Sequence, residues 1–70
     1  MKWTSKQVEE IAAIKNYERW IISDLNGVLV TGFSSAMLVN ALTAWLSNGY
    51  HIDNYVRSFS DNVLRIYIEE

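Results

Sequence analysis

Seventy residues contain no cysteine, no proline, three glycines and one histidine. Without cysteine there are no disulfides, no thiolate metal sites and no thiol nucleophile, and the redox compartment is left undecided. Without proline there is no rigid linker, and nothing in the chain is repetitive or low in complexity. Eight acids against six bases give a net charge of −2, too weak a field to mark a nucleic-acid binder or an acidic mimic of nucleic acid. The opening Met1-Lys2-Trp3-Thr4 has no apolar run behind its lysine, so no signal peptide is expected and the expected compartment is cytoplasmic. Charge is also missing locally, since no charged residue lies between Asp24 and His51. The window Val28 to Leu46 is therefore long enough to raise a membrane span. Thr31-Gly32, Ser34-Ser35, Asn40 and Thr43 interrupt it, so a strand followed by a buried helix is the preferred reading.

Half the residues are apolar and a fifth are charged, which argues for a folded chain rather than a disordered one. A chain of this length makes a single domain, 1–70, that buries only about 60% of its unfolded surface. Its core is marginal unless shared with a partner.

The first helix is expected to start at Thr4. Gln7 three residues on completes a capping box, and Trp3 and Val8 flank it as a hydrophobic staple. Val8, Ile11 and Ala12 form its apolar stripe, with Ile14 at the edge. Lys15, Glu18 and Arg19 would fall on or beside that stripe, which ends the helix near Asn16 or Tyr17.

The stretch IISDLNGVLVTG, Ile21 to Gly32, admits two readings. "SDLNGVLV" resembles the phosphate-transfer loop of the haloacid dehalogenase superfamily. That resemblance implies a nucleophile at Asp24 and an acid/base residue at position 26. Here position 26 is Asn, no lysine follows Lys15, and Asp53 and Asp61 are isolated. The family's parallel sheet with crossover helices needs upwards of ~30 residues per unit. The other reading is a hairpin, RWIIS and VLVTG joined by DLNG. A two-residue turn on Asn26-Gly27 would mix polar and apolar residues on both faces. A type I turn with Asp24 first and a left-handed Gly27 fourth pairs Asp24 with Val28 and Ile22 with Val30. It puts Trp20, Ile22, Val28 and Val30 on one face, and this register is expected.

Ser34 or Ser35 should cap a second helix running to about Asn48, with Gly49 as its left-handed stop. Leu38, Ala41, Leu42 and Trp45 form its main stripe, and Met37, Val39, Ala44 and Leu46 widen it to most of the circumference. A helix apolar nearly all round is expected to be buried, in part against another chain. Further on, VLRIYI alternates as a strand over 63–68. Residues 51–59 fit either its hairpin partner or a short helix.

The expected fold is therefore α+β: helix, hairpin, helix, then a hairpin or a short helix plus strand, with both helices on one face of an antiparallel sheet. No catalytic, cofactor or metal site is expected. His51 and Asp53 could form a pair but lack a nucleophile, and one histidine with scattered carboxylates is too few ligands for zinc. Nine aromatics without a basic groove fit a core or a partner surface better than base stacking. The expected function is a non-catalytic protein-interaction module: a homo-oligomer, with a homodimer foremost, or an inhibitory or accessory subunit of another protein. By analogy only, phages and mobile elements use such domains. Its expected partner-binding residues are Met37, Val39, Ala44, Leu46, Tyr50, Val63 and Tyr67. A nucleic-acid-associated regulator is the alternative, and a small membrane-anchored protein the second alternative.

Overall fold

A computed structural model describes residues 5–70, so the Thr4–Gln7 capping box and the Trp3–Val8 staple lie outside the described residues. The chain is a small α+β domain of two helices and one four-stranded sheet. In order these are α1 (Ser5–Ala12), β1 (Arg19–Asp24), β2 (Gly27–Gly32), α2 (Ser35–Ser47), β3 (His51–Ser58) and β4 (Val63–Glu69). Across the sheet the order is β2-β1-β4-β3.

The sheet is mixed, which corrects the antiparallel expectation. β1 pairs antiparallel with β2, and β4 antiparallel with β3, but the two central strands β1 and β4 are parallel. The sequences of the strands explain the arrangement. β1 and β4 supply Trp20, Ile22, Leu64, Ile66 and Ile68, all at most 1% exposed, and side-by-side placement buries both apolar faces at once. The more polar HIDNYVRS of β3 takes an edge. To connect the two edges, α2 must cross the sheet. Its 13 residues span ~20 Å at 1.5 Å each, enough for the ~14 Å between the outer strands of a four-stranded sheet.

Both helices bury their stripes in the same cluster. Val8 and Ile11 of α1 and Leu38 and Leu42 of α2 pack with Trp20, Ile22, Ile52, Leu64, Ile66 and Ile68. No polar side chain is buried among the described residues. Only Leu38 and Leu42 of α2 are fully buried, so this helix is not enclosed on all sides as its composition suggested. One stripe suffices because the helix lies over a single sheet face.

Local chemistry sets the element ends. Ser34 is the N-cap of α2, its Oγ accepting from the amides of Ala36 (3.2 Å) and Met37 (3.4 Å). At the other end the Gly49 amide donates to the Leu46 carbonyl and the Tyr50 amide to that of Trp45. With Gly49 at φ +86° this is a Schellman motif. α1 stops four residues before the expected Asn16. Its last turn tightens through the Ile14 amide to the Ile11 carbonyl, and Asn16 then takes φ +66° to redirect the chain into β1.

The hairpin turn has Asp24 first and Gly27 fourth, with Gly27 at φ +120°. The Asp24 carboxylate accepts from the Asn26 amide at 2.8 Å, the Asx arrangement that favours such turns. Ile22 pairs with Val30, but Asp24 pairs with Gly27 and Ser23 with Val28. Leu29 is therefore the extra residue of a β-bulge, and Val28, opposite the outward Ser23, is 66% exposed. The expected place of Val28 on the core face is thus corrected.

At the far end of the sheet, Arg57 reaches from β3 to the Asn16 carbonyl and to Asn62 Oδ1 at 2.9 Å. It thereby ties together two loops whose asparagines both have positive φ. Beside it, Asp61 pairs with Arg65 at 2.8 Å.

Two expectations follow from this architecture. Gly27→Val is expected to cost about 1–3 kcal/mol through its backbone conformation alone, because nothing lies within 4 Å of an added Cβ. Urea unfolding reads that loss, and unchanged stability would refute the strained turn. For the exposed Asp61, the Arg65 hydrogen bond first and the Ser58 hydrogen bond second hold the carboxyl at about 2, below its ordinary 3.8. Its small stabilising contribution is complete above pH 3.8 and lost as pH falls through about 2. A carboxyl-detected NMR titration should show that midpoint, and Arg65→Met should return it toward the ordinary value.

Candidate interaction surface

The surface is organised around Trp20. Its indole N–H donates to the Ser34 carbonyl at 2.9 Å, joining β1 to the cap of α2. The ring lies directly over Gly32, its cross-strand partner. A Cβ at Gly32 would stand 2.4 Å from the ring's Cζ2. The hydroxyl of Thr31 donates to the Trp20 carbonyl at 2.7 Å, and the Tyr17 and Ser35 hydroxyls lie 3.1 Å apart. These contacts turn the chain out of β2 and into α2 within two residues. Phe33, in that short link, is left 76% exposed.

The seven residues expected to bind a partner do not form one patch. Met37 and Ala44 are exposed on α2, whereas Val39, Leu46 and Tyr50 are half-buried and pack against the core. Val63 is 1% exposed. It sits in register opposite to Leu64, outside the main cluster, and offers no accessible surface in a single chain. Tyr67 is half-buried on the sheet face away from the helices, opposite Ser23 of β1. Tyr50 and Tyr67 do come together, lining a cleft of about 380 Å³ with Asp24, Leu25, Asn26 and Glu69.

A different apolar set is exposed. Leu25, Val28, Leu29 and Phe33 surround β2, Met37 follows on α2, and Val56 and Phe59 lie at the opposite edge. None of these except Met37 was among the expected partner-binding residues. The signal for Leu25 and Phe33 was present in the sequence, because both sit at turns between a strand and its neighbour. Val28 and Leu29 depended on the bulge, which pattern alone does not place.

The Asp24 carboxylate is engaged within its own turn. His51 faces Glu69 across the β3–β4 pair, and Asp53 lies at the β3 bulge with its Oδ2 accepting from the Asn54 side chain at 3.5 Å. Among the described residues no group of three or more His, Asp or Glu side chains could hold a metal ion. No helix among them is long and apolar enough to cross a membrane. Comparison with protein-family models, with curated proteins and with solved structures finds no match to this chain.

Gly32→Ala is expected to cost ~2 kcal/mol or more, because the indole must move and the Ser34 bond stretch. Chemical denaturation with tryptophan fluorescence measures it, and a cost under ~0.5 kcal/mol would refute the Trp20–Gly32 contact. Met37→Lys should stay within ~0.5 kcal/mol of the parent. Val63→Asp should cost about 3 kcal/mol or more, as an unpaired buried charge does.

Proposed function

We propose that this chain is a non-catalytic protein-interaction module, acting as a homo-oligomer or as an inhibitory or accessory subunit of another protein. The observation that carries the reading is the run of exposed apolar side chains on an uncharged stretch. Leu25 is 87% exposed, Val28 66% and Met37 55%, all inside the segment from Leu25 to Tyr50 that has no charged residue. Single exposed apolar residues are ordinary, but several along one strand and the adjoining link favour an interaction surface. The size of the domain supports the same reading, since the small core of a 70-residue chain gains stability from any further apolar area it can cover.

Two measurements on the tagged chain test this. Sedimentation across the micromolar range should show self-association, or affinity capture from the native host followed by mass spectrometry should recover a stoichiometric protein. A chain that stays monomeric at high micromolar concentration and captures nothing would overturn the proposal.

A further inference from the structure

The two edges of the sheet are unlike. β3 carries His51, Asp53 and Arg57, and its pairing is broken by a bulge at Asp53. Charges and bulges are the means by which edge strands resist pairing with other chains. β2, with the sequence GVLVTG, carries no charge, and the chain has no proline to place there. Its bulge lies toward the turn, so Val30, Thr31 and Gly32 remain in regular register with β1. Its outer edge has no strand beside it, and Leu29 and Phe33 on either side of that regular segment are 43% and 76% exposed.

We propose that β2 pairs antiparallel with β2 of a second copy of this chain, across a two-fold axis at Thr31, joining two four-stranded sheets into one of eight strands. The proposal rests on the reading of the chain as an interaction module and names the surface and the partner. Charge is the first argument for a second copy. An isologous contact sets a patch against itself, and an uncharged patch meets no like charge there. Closure is the second. Pairing β2 with β3 of the next copy would be head-to-tail and would propagate into a filament, against the charges of β3. Pairing β2 with β2 consumes the bare edge once and leaves a guarded β3 at both ends. The third argument is register. An axis at Thr31 sets Thr31 against its own copy and Val30 against Gly32 within the regular segment. It brings the exposed Leu29 and Phe33 that flank this segment to the two ends of the contact.

The test uses sedimentation equilibrium on the full chain and two point variants, with circular dichroism to verify folding. The parent should dimerise in the micromolar range. Leu29→Lys should weaken the dimer at least ~10-fold with an unchanged spectrum, whereas Val56→Lys on the opposite edge should leave it intact. A Thr31→Cys variant supplies the chain's only thiol, so no internal disulfide can form, and oxidation across the two-fold axis should give covalent dimers. A dimer indifferent to Leu29→Lys, or one dissociated by Val56→Lys, overturns the β2 pairing and leaves the homo-oligomer reading standing. A monomeric chain that still captures a host protein overturns the second copy as occupant and leaves the interaction module standing. A monomer that captures nothing overturns both.

Discussion

The hydrogen bond from the Trp20 indole to the Ser34 carbonyl, made possible by the missing side chain of Gly32, joins the sheet to its crossing helix. Trp20 is the largest fully buried side chain, and its N–H would carry a desolvation cost if it found no acceptor. The acceptor it finds belongs to the residue that caps α2. One side chain thus fills the core, fixes the path out of β2 and aims the helix. The Thr31 hydroxyl on the Trp20 carbonyl and the Tyr17–Ser35 contact brace the same junction.

Because α2 leaves one sheet edge and delivers the chain to the other, the two hairpins meet along β1 and β4. That junction is where the core is most completely apolar. The helices cover one side of it, and the other side carries the outward residues of the same strands, Ile21, Ser23, Arg65 and Tyr67. The chain therefore spends its strongest apolar alternation in the middle and leaves weaker or polar strands outside. The two outer strands then differ in kind: one is studded with ionisable groups, the other bare.

Much of this architecture was legible where the determinants are local. Ser34 and Gly49 bound α2 through capping chemistry that four or five residues specify. Gly27 has the positive φ the turn was expected to need. Val8, Ile11, Leu38 and Leu42 lie in the core as their spacing implied. What could not be read depended on contacts distant in sequence. The parallel β1–β4 pairing leaves no trace in either strand's own alternation. The bulge beside the turn, which sets Val28 opposite the outward Ser23, leaves no mark in the strand's own alternation. Val28 and Leu29 are exposed through that bulge, whereas Leu25 and Phe33 sit at turns that the sequence does mark. Strand alternation alone sets Val63 opposite the core residues, and only the folded chain encloses it. Met37 and Ala44, by contrast, stand in solvent as a broad apolar helix with one covered stripe must leave them.

The central parallel pair has a consequence for how the chain comes into being. About 40 residues separate the end of β1 at Asp24 from the start of β4 at Val63. At ~5–20 residues per second, synthesis of that interval takes several seconds. The β1–β2 hairpin closes over a short loop, but the apolar face of β1 lacks its neighbour until β4 is made. A two-stranded hairpin is marginal alone in water. The central pairing is therefore a late, non-local step that completes the sheet and the core together.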